Sequence, residues 1–179
     1  MSQLKVNSIV PSGGLPSGAN GGIIQTIFAE NNSVQTFSFN NSTFDPQTVC
    51  SATITPQSSS SKILVYCSAG VFVVSNTNPN FEWSLHLKRG STLVGGNTQS
   101  GAFRGTNVLC SGINAPECAA TGTFFYLDSP ATTSATTYNL CLQGGESQQY
   151  GVCRSQYTSN SNNFTNSSGT NITLMEISV

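Results

Sequence analysis

Charged side chains are scarce in this sequence. Lys and Arg contribute 6 residues and Asp and Glu 7, so that 7% of the 179 residues are charged, against about 25% in ordinary globular domains. The formal net charge of −1 provides no basic field for a polyanion, and we expect no nucleic-acid partner. Because so little charge repulsion protects the surface from association, we expect copies of the chain or a larger assembly to cover part of it.

Side chains suited to acid–base catalysis are also few. His86 is the single histidine, and the alternation in "FEWSLHLKRG" (81–90) places it on the face opposite Trp83 and Leu85. A Ser–His–acid triad would have to use His86, yet the sequence has no "GxSxG" nucleophile elbow. The seven carboxylates are scattered along the chain. We interpret His86 as a polar surface residue and predict a protein that is not an enzyme and has no cofactor.

Long apolar runs are missing as well. No stretch is long enough to cross a membrane as a helix, and "MSQLKVNSIVP" lacks the apolar segment of a signal peptide. We therefore expect that the protein folds in a cytosol and does not insert into a membrane.

Neutral polar residues take the place of charge. The chain has 27 Ser, 20 Thr, 18 Asn and 10 Gln, or 75 of 179 residues. Low hydrophobicity without net charge is not the signature of disorder, and the abundant Thr, Val, Ile and Phe favour β-structure. Turn residues separate ten predicted strands: 23–28, 34–39, 49–55, 62–74, 81–90, 92–95, 107–113, 121–128, 136–143 and 171–179. We predict one all-β domain over 23–179, an antiparallel β-sandwich and in particular a jelly roll.

Residues 1–22 differ from the rest of the chain. Apolar residues suited to a short strand (Leu4, Val6, Ile9 and Val10) precede a connector rich in Gly and Pro. We predict that this segment is an arm that anchors the domain to a larger particle through those four residues. The alternative is a frayed terminus.

The stretch "FFYLDSPATTSATTYNLCLQ" (124–143) is apolar on both faces at its start. Phe124 and Tyr126 point one way, and Phe125 and Leu127 point the other way. One face can be buried in the sandwich and the other against a neighbouring subunit. We predict Phe125 and Leu127 at the interface of a homotrimer.

The six cysteines allow 15 pairings. Three candidate disulfides each close one turn: Cys50 with Cys67, Cys110 with Cys118, and Cys141 with Cys153. The alternative is six buried thiols, as in most proteins that fold in a cytosol. No CxxC occurs and one histidine is available, so we expect no zinc site.

Long neutral loops are candidates for binding. The segments 76–80, 95–107 and 155–169 mix aromatic rings with amides and hydroxyls, a chemistry that suits sugars. The candidate glycan contacts are Phe103, Arg104, Asn107, Tyr157 and Phe164. The alternative is solvated turns with no ligand.

Several segments together resemble small virion proteins of tailed bacteriophages, particularly phages of cyanobacteria and other aquatic bacteria. They are "LKVNSIVPSGG…GGIIQ", "TPQSSSSKILV", "LKRGSTLVGG", "FFYLDSPATTSATTYNL" and "ITLMEIS", and they span nearly the whole chain. The resemblance implies a jelly-roll module, often trimeric, that an N-terminal segment displays on a virion after folding in the host bacterial cytoplasm. The six cysteines and the inserted "CSGINAPEC" depart from that pattern.

Two positions on a virion compete. Even fully extended, an arm of this length spans about 70 Å, which favours a decoration, or cement, protein lying directly on the major capsid protein. The alternative is a short tail fibre or fibre tip that docks to a tail adaptor and contacts a host surface glycan. A free-standing carbohydrate-binding module is the third reading.

Overall fold

The computed structural model describes residues 22–39, 44–74, 81–95, 106–110, 117–145, 149–153 and 169–179. At residues 74, 81, 106–110 and 117–119 the description covers the backbone. The strands are β1 (Ile23–Asn31), β2 (Gln35–Ser38), β3 (Gln47–Ile54), β4 (Lys62–Val74), β5 (Phe81–Arg89), β6 (Thr92–Gly95), β7 (Thr106–Cys110), β8 (Glu117–Asp128), β9 (Thr136–Gly144), β10 (Gln149–Val152) and β11 (Thr170–Ile177). These residues contain no helix, so the described part of the chain has none that could cross a membrane.

The strands form two antiparallel sheets. In the front sheet β4 is central: β8 pairs along one side of it, and β11 and β10 pair along the other. β1 pairs with β11, and β2 pairs with β10. The back sheet has the order β3-β9-β5, and β6 and β7 both pair with the remaining side of β5. The predicted β-sandwich is therefore confirmed.

Most connections pass from one sheet to the other. The chain goes from β2 in front to β3 behind, to β4 in front, to β5 behind, and later from β7 to β8 to β9 to β10 in the same alternating way. This winding of antiparallel strands across two sheets is that of a jelly roll. The connections after β3 and after β8 therefore cross between the sheets. The pairing of Cys50 with Cys67 required a direct hairpin between β3 and β4, which the structure does not have.

Two positions of the front sheet are each occupied by two successive short strands, β10 with β11 and β1 with β2. β10 and β11 follow one another along the same side of β4, with Val152 opposite Val71 and Asn171 opposite Ser68. Cys153, whose φ is 64°, marks the break in this composite strand. β10 had not been predicted because "QYGV" is too short to show a period.

The core lies between the sheets and follows from strand alternation. Every second residue of β4, from Ile63 to Val73, points inward and is buried. Trp83, Leu85 and Leu87 of β5 are buried on the opposing side. The inward assignment of Trp83, Leu85 and Leu87 in the sequence is thus confirmed, as is the inward direction of Phe124 and Tyr126, which pack against this core.

Candidate functional site

The outer face of the front sheet carries a broad apolar surface. Its rows follow from the strand register: Phe28, Thr173, Tyr66 and Phe125 form one row, and Thr26, Met175, Leu64 and Leu127 form the next. We call the apolar members of these rows, Phe28, Leu64, Tyr66, Phe125, Leu127 and Met175, the front-face patch. Phe125 is 69% exposed, Phe28 59% and Leu127 50%, so the largest side chains of the patch face outward in the single chain.

Aromatic rings already pack together within the patch. The rings of Tyr66 and Phe125, which are cross-strand partners, have centroids 4.8 Å apart at an interplanar angle of 40°. Cross-strand aromatic pairs of this kind stabilise a sheet face. The patch is therefore an ordered surface that can meet a partner without first rearranging.

Charge is confined to the margins of this face. Among the side chains that the structure describes there, the ionised ones are Glu30, one row beyond Phe28, and Lys62, one row beyond Leu64. Four strands and two rows, or about four residues along each strand, cover about 19 Å by 13 Å, or about 250 Å² in plane. The largest contiguous apolar patch on a monomer is often a functional surface.

The outer face of the back sheet is different in chemistry. Ser51 Oγ donates to Asn139 Oδ1 at 2.7 Å, and the hydroxyls of Thr53 and Thr137 lie 2.7 Å apart. Asn139 Nδ2 donates in turn to the carbonyl of Gly90 at 2.9 Å. These neutral polar groups satisfy one another laterally, so this part of the surface is suited to solvent. The described outer faces therefore differ in chemistry: this part of the back face is polar, and the front face is apolar.

His86 does lie on the outer face of the back sheet, as its alternation predicted, but it is fully buried and not a surface residue. The interpretation of His86 as an exposed polar side chain was wrong, because the segment before β3 covers it. Phe44 lies edge-on to the imidazole, with ring centroids 5.1 Å apart at 85°. Sequence alternation gives the face of a residue and carries no information on a loop that crosses it.

The His86 imidazole bonds to one described side chain. Nε2 lies 2.7 Å from Ser84 Oγ, whereas the buried Nδ1 has no hydrogen-bond partner among the described residues. Burial, and after it the positive charge of Lys88, lower the pKa of His86 to about 4, so the ring is neutral at pH 7. Since no carboxylate bonds to Nδ1, the described residues hold a Ser–His pair without the acid that orients a catalytic triad.

The predicted interface residues lie together on the front face, whereas most other predicted sites lie outside the described residues. Those outside are Leu4, Val6, Ile9 and Val10 of the predicted arm and Phe103, Arg104, Tyr157 and Phe164 of the predicted glycan loops. Asn107 lies in β7, where its backbone is in register with Ser84. The sequence analysis missed Phe28, Leu64, Tyr66 and Met175, although "KILVY" (62–66) is apolar on both faces beyond its first residue and carried the same signal as 124–127.

Four cysteines are described, and each is a free, buried thiol. Cys50 lies in the back sheet and Cys67 in the front sheet, so the crossover between them does not place them opposite each other. Cys141 and Cys153 are likewise unpaired, and the proposed bond between Cys110 and Cys118 lies outside the described side chains. In the part of the chain described, no three His, Cys, Asp or Glu side chains are grouped so that they could hold a metal ion.

Gly22 lies at one end of the front sheet, and Val74 and Gln149 lie at the opposite end. The amide N–H of Ser178 donates to the carbonyl of Gly22 at 3.0 Å, so Gly22 lies beside the end of β11. At the opposite end, Gln149 lies in register with both Ser38 and Val74. The connection that follows Val74 and the one that precedes Gln149 therefore start far from Gly22.

Comparison with known proteins gives a fold likeness without a family. No protein-family model matches the chain, and no curated protein matches it significantly. Among solved structures, the Eiger TNF of S. frugiperda is similar over 83% of this chain and 88% of that one, at 11% sequence identity and a TM-score of 0.35.

Proposed function

We propose that this chain is a structural protein of a bacteriophage virion, a homotrimeric decoration protein that its N-terminal arm docks on the major capsid protein. The observation that supports this proposal is the front-face patch, an exposed apolar surface that spans four strands and carries charge only at its described margins. A surface of this kind stabilises an assembly when a matching surface covers it.

A second copy of the chain is the partner that fits the patch best. The partner has to be apolar and uncharged, because burying an unpaired charge against Phe28, Tyr66 and Phe125 would be costly. The chain itself presents such a surface, and most soluble homo-oligomers have closed symmetry. The patch of about 250 Å² is about a third of what one partner contributes to a standard interface, and each member of a trimer meets two neighbours.

The position of Gly22 links the trimer to attachment. If the symmetry axis runs along the strands, all three copies present the Gly22 end of the front sheet on the same side of the trimer. Three arms that leave one side can bind one particle together, and their weak contacts then multiply through a high effective concentration. The charge-poor sandwich serves as the body that the arms hold in place.

A short tail fibre or fibre tip is the second candidate function. The observation that favours it is the separation between Gly22 and the opposite end of the front sheet at Val74 and Gln149. Attachment at the Gly22 end would leave the connections at the other end facing outward, where neutral polar segments can contact a host surface glycan.

Sedimentation velocity of the full chain at micromolar concentration tests the self-association. We expect a trimer for the natural sequence and a folded monomer for Phe125→Asp, because an ionised carboxylate cannot be buried in the patch without a partner. Thr53→Asp is the matched control, since it places the same charge on the exposed back face, and it should remain trimeric. A monomeric natural chain, or a trimeric Phe125→Asp variant, would contradict the proposed interface.

Copy number per virion, measured by quantitative mass spectrometry against the major capsid protein, separates the two positions. Hundreds of copies would support a decoration protein that stabilises the shell. A few tens at most would support a tail component. Absence from purified virions would contradict both.

A further inference from the structure

Residues 44–46, which we call the strap, cover a patch of fully buried polar residues on the outer face of the back sheet. The covered residues are Ser84 and His86 of β5 and Cys141 and Gln143 of β9. They lie side by side, because Ser84 is in register with Gln143 and His86 with Cys141. Polar side chains on an outer face are normally hydrated, whereas here the strap contacts His86 and Gln143 directly.

Among the described residues, three contacts hold the strap against the back sheet. The Asp45 amide N–H donates to Gln143 Oε1 at 2.9 Å, Lys88 Nζ donates to the Pro46 carbonyl at 2.8 Å, and Phe44 packs edge-on against His86. Phe44 itself is 44% exposed, whereas Pro46 is buried. Segments with few buried apolar contacts open at a lower free energy than the core.

His86 is the residue of the covered patch whose hydrogen bonding is incomplete. A neutral imidazole has one donor and one acceptor nitrogen, so Nε2 can bond to Ser84 while Nδ1 is left as a buried acceptor. Protonation makes both nitrogens donors, and the Nδ1–H of the cation would then be buried without an acceptor. A buried charged donor without a partner is strongly unfavourable, whereas water can satisfy it if the strap leaves.

The charges around His86 do not relieve this cost. Lys88 lies two residues away on the same face of β5 and repels the imidazolium. Asp45, on the strap, is exposed and bonds through Oδ2 to Gln47, not to the imidazole. Cys141 on β9 contacts Thr48, and β6 and β7 contain no charged residue. Glu82 lies towards Gly145, whose amide donates to the Glu82 carbonyl.

We propose that the strap is an acid-released cover, which stays closed over neutral His86 and opens when His86 takes up a proton, exposing Ser84, His86 and Cys141 to solvent. The device is independent of the proposed virion role, because it depends on contacts within one chain.

The size of the effect follows from linkage between protonation and opening. With a pKa of about 4 in the closed state and about 6.5 for a solvated imidazole, the equilibrium constant for opening rises about 30-fold between pH 7.5 and pH 5. Most of that rise occurs below pH 6.5, where His86 is protonated in the open state and remains neutral in the closed state.

Hydrogen exchange followed by mass spectrometry measures the opening on the full chain. The Asp45 amide should exchange about 30-fold faster at pH 5 than at pH 7.5, after division by the intrinsic rate of an unstructured reference peptide at each pH. Peptides of β4 and β8 should keep their protection at both pH values. Equal loss in those peptides would mean global unfolding and would overturn the strap as a separate unit.

Two variants assign the effect to His86 and to the strap. His86→Gln cannot take up a proton, so its Asp45 exchange should show no pH dependence beyond the intrinsic rate. Phe44→Ala should open more at both pH values and keep the pH ratio. A pH ratio near one in the natural chain, or an unchanged ratio in His86→Gln, would contradict the proposal.

An NMR titration needs no variant, because His86 is the single histidine of the chain. We expect its imidazole to titrate well below pH 6.5, with the shift of the Asp45 amide following the same curve. A His86 titration near pH 6.5 would overturn the mechanism even if the His86→Gln variant failed to fold.

Discussion

The hydroxyl of Tyr138 donates a hydrogen bond to Asp128 Oδ2 at 2.6 Å and thereby joins the two sheets. Asp128 is the last residue of β8 in the front sheet, and Tyr138 belongs to β9 in the back sheet. Arg89 Nη1 donates to the same carboxylate oxygen at 2.7 Å. Burial, and then the bond to Asp128, raise the pKa of Tyr138, so the phenol remains a donor at any ordinary pH.

Removing the Tyr138 hydroxyl should weaken the link between the sheets. Tyr138→Phe leaves the buried Asp128 carboxylate without one of its donors, and we expect the free energy of unfolding in urea to fall by about 1.5–3 kcal/mol. Thr137→Val is the control, because the Thr137 hydroxyl bonds to Thr53 on the exposed back face, and it should cost under about 1 kcal/mol. An equal fall in the free energy of unfolding in both variants would mean that the bond between Tyr138 and Asp128 stabilises the protein no more than a surface hydrogen bond does.

Gly122 should resist a methyl group for a steric reason. A Cβ atom at Gly122 would lie 2.9 Å from Trp83 Cη2 and 3.0 Å from Leu85 Cδ1. Gly122→Ala should therefore cost about 1–3 kcal/mol through overpacking. Trp83→Phe makes room at this site, so the two changes together should cost less than their sum.

Gly90 provides the matched comparison, because its cost should come from the backbone alone. No heavy atom lies within 4 Å of a Cβ built there, but its φ is 57°, which costs a residue other than glycine about 1–2 kcal/mol. Gly90→Ala should thus be additive with Trp83→Phe in urea unfolding. Additivity at Gly122 as well would contradict the steric explanation.

Glu176 should make stability depend on pH in acid. It is fully buried and accepts from Gln25 Nε2 and from the Gln57 amide, the latter at 2.8 Å. Burial acts to raise the pKa of Glu176, but the hydrogen bonds, that of Gln25 foremost, outweigh it and lower the pKa below 4.5. The folded state then binds its proton less readily than the unfolded state, so the stabilisation is present above pH 4.5 and is lost as the pH falls through the folded pKa.

Glu176→Gln tests this dependence by urea unfolding at several pH values. We expect the variant to be less stable than the natural chain by about 1–2 kcal/mol at pH 7, and the gap should narrow below pH 4.5. Glu30→Gln, on the exposed margin of the front face, should change stability by less than about 0.5 kcal/mol at either pH. A gap that stayed constant down to pH 3 would rule out Glu176 as its source.

The four described cysteines should be unreactive thiols. Burial raises the pKa of the thiols of Cys50, Cys67 and Cys141, and a protonated, buried thiol is a poor nucleophile. At pH 8, dithionitrobenzoate should modify these three residues and Cys153 only after denaturation, as read by peptide mapping. A disulfide that includes any of the four in a non-reducing map of the purified chain would contradict the free-thiol assignment.

The sequence alone determined the class of fold and the approximate positions of ten of the eleven strands. Strands β4 and β6 were predicted at the bounds that the structure has, because β-branched and aromatic runs between turn residues are a local property of the chain. Alternation also placed Phe125 and Leu127 on the face opposite Phe124 and Tyr126. A period of two residues assigns each side chain to one face of a strand without reference to its neighbours.

Only the tertiary structure decided which faces are covered. His86 and Phe125 both point away from the core, yet the first is fully buried and the second is the most exposed large apolar side chain described. The difference arises because the strap crosses the back sheet at His86, whereas no described segment crosses the front sheet at Phe125. The front-face patch likewise joins residues from β1, β4, β8 and β11, which long crossover connections bring together from sites up to about 150 positions apart in the chain. Local patterns assign a residue to a face, and the winding of the chain decides what that face meets.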